Sequence, residues 1–329
     1  MSVLDDGDWR VPRTDDEPDG AFDRSETAFR ERIRDTPNAR FAPEADRYHL
    51  YIARACPWAH GAALVRELLG LDDVLSMDIV DPYRDERGWR FSPEHDGCTP
   101  DTVTGADYLA EVYRAADPDF DGHVSVPVLW DREHGTIVNN ESIEVMQQLA
   151  TAFDEHQSND VDLYPAGRRD EIDSITTALY EPVNNGVYRA GFASSQAAYD
   201  TAVAELFEAL GELDSLLADQ RYLAGDRLTI ADLRLFPTLV RFDEVYHTHF
   251  RCNRRRLTDY PNLWGYTREL FQLPGVADTV NMAHIKEHYY TTHDSLNPKR
   301  IIPVGPEPDF EAPHDRDRLA GGPPTSLQG

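Results

Sequence analysis

The alternation of apolar and polar residues becomes regular at Tyr48, and from there it predicts a sequence of elements. Tyr48-His49-Leu50-Tyr51-Ile52-Ala53 reads as a strand, Pro57 to Leu69 as a helix closed by Gly70, and Val74 to Val80 as a second strand. This is a β-α-β opening of the size that a parallel crossover needs. Val126 to Trp130 and Thr136 to Val138 form a hairpin pattern across residues 131–135, followed by a helix from about Asn140 to Phe153. Beyond the polar stretch Asp154 to Asp162 no strand pattern remains. Tyr199, Val203, Leu206, Leu210, Leu213 and Leu217 are spaced by threes and fours, which puts one apolar stripe on a helix. Thr229 and Asp232 have capping-box spacing, with Leu228 and Leu233 at the staple positions; such a helix start contributes about 1 kcal/mol. Pro261-Asn262-Leu263-Trp264 and Leu273-Pro274-Gly275-Val276 punctuate two later helices.

A β-α-β unit followed by a hairpin and a helix is the thioredoxin-like order, here interrupted between residues 81 and 123. Insertions of that length are usually functional or mobile. The expected class is α/β plus all-α: an arm over residues 1–45, a thioredoxin-like domain over 46–155 with insertion 81–123, an all-helical domain over 165–305, and a loose tail over 306–329. Arm and tail are rich in Asp, Arg, Pro and Gly, with too little apolar periodicity to predict an element.

The length of 329 residues fits two domains, each able to bury its own core. No run of about 18 apolar residues is present to span a bilayer, and the start of the chain lacks a secretory pattern. Three scattered cysteines point to free thiols in a reducing cytoplasm. The net charge of −28 disfavours nucleic acid and anionic membranes as partners. The 32 basic residues include only two lysines, Lys286 and Lys299, and acidic residues run along the whole chain. That pattern suits a halophilic cytoplasm, where molar salt screens self-repulsion.

Cys56 lies between the first strand and the first helix, with Pro57 at the first helical position. There the helix dipole and the unpaired amides stabilise a thiolate and lower its pKa. Cys98 and Cys252 lack that context. Ala59 stands where a dithiol oxidoreductase carries its resolving cysteine, so a mixed disulfide on Cys56 needs an external thiol for release. On statistics alone Val126-Pro127 is a trans turn proline, but it occupies the place where a thioredoxin-like domain has its cis proline, which leaves the Val126 backbone to pair with an extended ligand. Glu141 and Ser142 open a helix; they either favour its dipole or hold an ammonium and a carboxylate, the two ends of an α-amino acid. His247, His249 and Cys252 read as a packed helix, and no metal is expected. His284 and His288 read as locally bonded or pocket-lining, and Arg254-Arg255-Arg256 as paired with carboxylates.

The chain resembles the glutathionyl-hydroquinone reductases, the xi class of glutathione transferases. The likeness rests on Cys56-Pro57-Trp58-Ala59, Asp81-Pro82 through Trp89, Val126-Pro127, Glu141-Ser142, Asn184-Asn185-Gly186-Val187-Tyr188-Arg189-Ala190-Gly191-Phe192, Ile285-Lys286-Glu287-His288-Tyr289-Tyr290, Asn297-Pro298 and Pro303-Val304-Gly305-Pro306. It spans about Tyr48 to Pro306. The resemblance implies a homodimer in which Cys56 is the nucleophile, Val126, Glu141 and Ser142 bind a γ-glutamyl thiol, and Trp89 packs over it. It implies that Tyr188 and Tyr289, or Tyr290 beside it, face a quinone or hydroquinone conjugate. Glutathione or γ-glutamylcysteine would be the cosubstrate, with no permanently bound cofactor. A general thiol transferase would need Cys56 without the tyrosines, and a non-catalytic binding module would need neither.

The acidic, lysine-poor composition predicts that folding depends on salt. The melting temperature, followed by circular dichroism, should rise between dilute and molar potassium chloride; a flat series refutes the halophilic reading.

Overall fold

Side chains alternate across a strand, yet all five positions from Tyr48 to Ile52 are buried, so this strand needs a layer on each face. A computed structural model, describing residues 3–5, 8–10, 20–22 and 27–327, shows how that is met. Strands β1 (Val3–Asp5) and β2 (Asp8–Arg10) pair antiparallel by themselves. Strand β3 (Tyr48–Ile52) lies inside a four-stranded sheet of order β4-β3-β5-β6, with β4 Ser76–Ile79, β5 Val128–Asp131 and β6 Thr136–Asn139. β3 and β4 are parallel, joined through helix α1 (Pro57–Leu69), while β5 is antiparallel to both β3 and β6. Helix α3 (Ser142–Ala152) packs beside α1. Gly70 closes α1 at φ +62°, a left-handed conformation that favours glycine, and a Cβ there would meet Ser158 Oγ at 1.9 Å, so any larger residue displaces that side chain.

Backbone contacts divide the chain into two units. Of the described residues, the first takes 27–159 and 279–294 with β1 and β2, and the second takes 20–22, 160–278 and 295–327. The arm, in which no element was expected, is used in the first unit. Glu31 N donates to Val138 O (3.0 Å) and Asn140 N to Phe29 O (3.1 Å), so the arm lies along β6 and covers its open edge. Ile33 N donates to Gln148 Oε1 (2.8 Å). These are mainly backbone bonds, which leave no mark on side-chain periodicity.

The insertion carries helix α2 (Leu109–Ala116) and is tied to the sheet. The Asp101 carboxylate accepts from the amides of Val103, Thr104 and Ala106 and from the Tyr51 hydroxyl (2.9 Å). Asp78, on β4, accepts from Thr102 N (2.7 Å).

The second unit is helical among its described residues. Helix α4 (Arg169–Leu179) passes through a π-helical turn, Tyr180–Asn184, into α5 (Gly186–Gly191); α6 (Gln196–Asp219), α7 (Ile230–Arg241), α8 (Pro261–Phe271) and α9 (Val276–Thr279) follow. Helix α7 is buried at every position, as a helix at a core centre must be. Its capping box forms as expected, and the Asp232 carboxylate accepts from Thr229 N (2.8 Å), Leu223 N (2.9 Å) and Tyr266 OH (2.7 Å). Helix α10 (Met282–Thr292) falls in the segment expected to be part of the helical domain, but it groups with the first unit. Its hydrogen bonds explain this: Arg84 N donates to Thr292 Oγ1 (3.1 Å), and His288 Nδ1 meets Pro82 O (2.7 Å).

The tail is anchored rather than loose. Arg316 is fully buried, and its guanidinium donates to the carbonyls of Leu217 (2.6 Å) in the last turn of α6, Gln220 (2.9 Å) at its C-cap and Arg221 (2.5 Å) just beyond it. Its Nε faces Glu269 Oε2 (3.3 Å), and Arg221 Nε lies 2.5 Å from Oε1 of the same carboxylate. Arg316→Met strips three buried carbonyls and half of Glu269's pairing, so it should lower unfolding free energy by roughly 3–5 kcal/mol in a urea titration. A loss below about 1 kcal/mol would return the tail to the status of a solvated end.

Candidate active site

The strand directions bring four of the expected site residues to one edge of the sheet. β3 and β6 run the same way and β5 runs against them, so β3 and β6 end where β5 begins. The registers agree: Tyr51 is opposite Val128, and Leu129 is opposite Asn139. Cys56 follows β3, Glu141 and Ser142 follow β6, and Val126 precedes β5. Two helices therefore start at this edge, each with first-turn amides that suit a negative charge.

Cys56 caps α1 in an extended conformation (φ −79°, ψ 119°), with Pro57 next, and its carbonyl accepts from His60 N (3.0 Å). Its thiol is half-buried and lies 3.7 Å from the Val126 carbonyl oxygen. The Val126-Pro127 peptide is cis, and the Val126 amide has no hydrogen-bond partner among the described residues. The other cysteines sit in different surroundings. Burial pushes the Cys98 thiol up to about 12, with Asp81 and Glu287 adding to the effect. Burial also raises Cys252, whose sulfur faces the main-chain carbonyls of Phe250 (3.8 Å) and Val187 (4.0 Å). His249, in the same segment, is pushed down to about 4 by burial and Arg251, and it stacks on Phe250.

Glu141 caps α3, and its amide donates to Asn139 Oδ1 (2.7 Å). Its carboxylate accepts from Thr27 Oγ1 (3.2 Å) and lies 3.5 Å from Ser142 Oγ, a buried hydroxyl. Sequence reasoning missed the group that ties this edge together. The Tyr113 hydroxyl, on the insertion's α2, donates to Ser125 O (2.8 Å) and accepts from Ser125 N (3.2 Å) and Asn140 Nδ2 (3.0 Å). One buried phenol thus holds the residue before Val126 and the residue before Glu141. Tyr113 fills an ordinary apolar position in its helix pattern, so nothing in the sequence marked it.

Trp89 is buried and stacks on His288 (5.0 Å, 20°), and His288 makes an edge contact with Tyr289 (5.3 Å). The structure therefore connects Trp89 to Tyr289 through a histidine on α10. Tyr289 and Tyr290 are both buried. Tyr188 belongs to the second unit, on α5 just after the π-helical turn. Its ring lies among Phe22 (6.5 Å), Phe192 (6.3 Å), Tyr246 (6.0 Å) and Phe250 (5.3 Å), and Tyr246 ends the other π-helical turn, Phe242–Tyr246. Such turns recur at functional positions.

Comparison with known proteins agrees with this two-part fold. Residues 55–152 match the glutathione S-transferase N-terminal domain and residues 196–269 the glutathione S-transferase C-terminal domain. The chain is 46% identical to the glutathionyl-hydroquinone reductase YqjG of Escherichia coli, over 96% of this chain and 99% of that one. It is 48% identical to the glutathionyl-hydroquinone reductase PcpF of Sphingobium chlorophenolicum, over 93% and 96%. A xi-class glutathione transferase from Natrialba magadii superposes with a TM-score of 0.92 at 57% identity, covering 98% of each chain. YqjG has been solved with glutathione bound.

Tyr113→Phe leaves Ser125 N and Asn140 Nδ2 without their acceptor while keeping the ring. It should lower unfolding free energy by about 1–3 kcal/mol in denaturant titration. No change would show that these bonds are replaced by water.

Proposed function

Because the chain belongs to the glutathionyl-hydroquinone reductases, the xi class of glutathione transferases, we propose that Cys56 removes the thiol group from a glutathionyl-hydroquinone conjugate. The Cys56 thiolate attacks the sulfur bound to the aromatic ring, forming a Cys56 mixed disulfide and breaking the carbon–sulfur bond. The electron pair of that bond goes to the ring carbon, which takes a proton and leaves as hydroquinone. A second γ-glutamyl thiol attacks the mixed disulfide, frees Cys56 as thiolate and departs as a disulfide. Ala59 leaves no resolving thiol in the Cys56 motif to compete for that step.

The observation that carries this reading is the contrast among three thiols: Cys56 starts a helix, whereas burial suppresses ionisation of Cys98 and Cys252. Val126 would pair with the cysteinyl backbone of the thiol, Ser142 with its carboxylate and Glu141 with its ammonium, while Trp89 encloses it. The glutathione-bound relative supports a γ-glutamyl thiol, and γ-glutamylcysteine keeps both recognised ends. Tyr188 and Tyr289 would supply the proton or hydrogen bond at the quinol ring. The likeness to a Natrialba enzyme and the charge of −28 support a salt-rich cytoplasm, and three cysteines held as thiols suit a reducing one. Exposed Ile301, Ile302 and Val304 suit a chain that assembles as a homodimer.

Cys56→Ser should abolish turnover of a glutathionyl-hydroquinone, and Cys252→Ser should retain most of it. Tyr188→Phe should slow that reaction ~10²-fold or more and barely change reduction of a simple mixed disulfide, whose thiolate leaving group needs no proton. Equal rates for Tyr188→Phe and the parent on the conjugate would favour a general thiol transferase, and full activity of Cys56→Ser would overturn the mechanism.

A further inference from the structure

Away from Cys56, the insertion turns back against α10 and brings metal-ligating side chains together. His95 and Cys98 close a tight turn in which Cys98 N donates to His95 O (3.1 Å). His95 Nδ1 lies 3.8 Å from Cys98 Sγ and 3.2 Å from the Asp96 carbonyl oxygen. His284, in the first turn of α10, places Nε2 2.7 Å from that same oxygen. One donor atom from each of His95, Cys98 and His284 lies within 4.8 Å of the other two. Around a tetrahedral zinc ion, bond lengths of ~2.3 Å to sulfur and ~2.0 Å to nitrogen separate those ligands by roughly 3.5 Å. The side chains need move by only about an ångström to share one ion.

Three further observations single this cluster out. His284 is 2% exposed, and the nitrogen it turns to the cluster is Nε2, which lies beside the Asp96 carbonyl and the Gly97 backbone; this is the atom that would ligate. His95 turns its other nitrogen, Nε2, toward Glu287 Oε2 at 3.1 Å. A carboxylate behind an imidazole is the arrangement that fixes the tautomer and orientation of a metal-bound histidine. Gly97 takes φ +77°, and a Cβ there would come within 3.2 Å of His284 Nε2, so the turn's backbone is fitted closely to the ring.

We propose that His95, Cys98 and His284, with the Asp96 carbonyl as a fourth donor, form a binding site for one divalent transition metal of the zinc class, and that Glu287 orients the His95 ring. Two imidazoles and a thiolate are the donors such ions prefer over magnesium or calcium. Binding releases the Cys98 proton to solvent, since the thiolate is the ligand. The ion would clip the insertion to α10. The sequence alone pointed to no metal here, because Asp96 and His284 are 188 residues apart and only the fold brings them together. The site is independent of the role proposed for Cys56.

The test uses the full chain carrying Cys56→Ser, which removes the competing half-buried thiol, and cobalt(II) as the metal alone. One equivalent of cobalt should bind and give a thiolate-to-cobalt charge-transfer absorption that zinc abolishes on displacing it. The absorption should vanish when Cys98→Ser is added and persist when Cys252→Ser is added instead, with far-ultraviolet circular dichroism checking that each variant is folded. Glu287→Gln should weaken cobalt binding by about 10-fold or more. Absence of the charge-transfer band in the Cys56→Ser chain, a band of equal strength after Cys98→Ser, or equal cobalt affinity in Glu287→Gln would overturn the proposal.

Discussion

The meeting of Cys56, Val126, Glu141 and Ser142 follows from the direction of three strands. Because β3 and β6 run one way and β5 the other, two helix starts and the head of a strand share one edge of the sheet. Helix starts present amides that favour negative charge, and a strand head presents backbone groups that a peptide-like ligand can pair with. A thiolate and a ligand bearing a carboxylate are both suited to that edge. Of the three cysteines only Cys56 starts a helix there, whereas the Cys98 thiol, beside the Val80 carbonyl at the end of β4, is held protonated by burial, and no second thiol stands at Ala59 to close a disulfide with Cys56. The topology thus favours a chemistry in which the second thiol arrives from solution.

An edge built from loops is only as exact as the contacts that fix the loops. Here the fixing comes from outside the thioredoxin-like elements. Tyr113, from the insertion, holds Ser125 and Asn140 with one hydroxyl, and Phe29 N, from the arm, donates to Asn140 Oδ1 (3.0 Å). Thr27, also from the arm, reaches the Glu141 carboxylate. Burial raises the Tyr113 pKa, so the phenol stays protonated and can both donate and accept. Insertion and arm therefore act as supports that order the loops before a ligand binds, which reduces the entropy that binding must offset.

The parts of this molecule that were legible in the sequence are those governed by local rules. Helix α1 ends where Gly70 required it to, Thr229 and Asp232 form their box, and the stripe from Tyr199 to Leu217 lies on one helix. Cys56 and Val126 could be found for the same reason, since proline and glycine punctuate strand–helix junctions. What escaped notice was held by long-range polar contacts. The arm's pairing with β6 uses backbone atoms, Arg316 resembles any solvated arginine until it is seen beneath α6, and α10 returns to the first unit through side chains such as His288. His95, Cys98 and His284 were invisible as a group because nothing in period or spacing connects the turn at His95 and Cys98 to His284, 188 residues beyond Asp96.

The same contacts change what the net charge means. A charge of −28 counts every carboxylate alike, but Asp131, Asp232 and Glu269 are buried and bonded, the first to Arg47, the second to two amides and a phenol, the third to Arg221 and Arg316. Salt screens charges in water and has little effect on such enclosed pairs. The repulsion that screening relieves must therefore come from the exposed carboxylates, while the interior depends on arginine's several donors to reach carbonyls and carboxylates at once, as Arg316 and Arg47 do. Lysine, with a compact ammonium, cannot form that fork. A chain with two lysines among 32 basic residues thus keeps the cation that its buried sites need and forgoes the one that would mainly dilute its acidic surface.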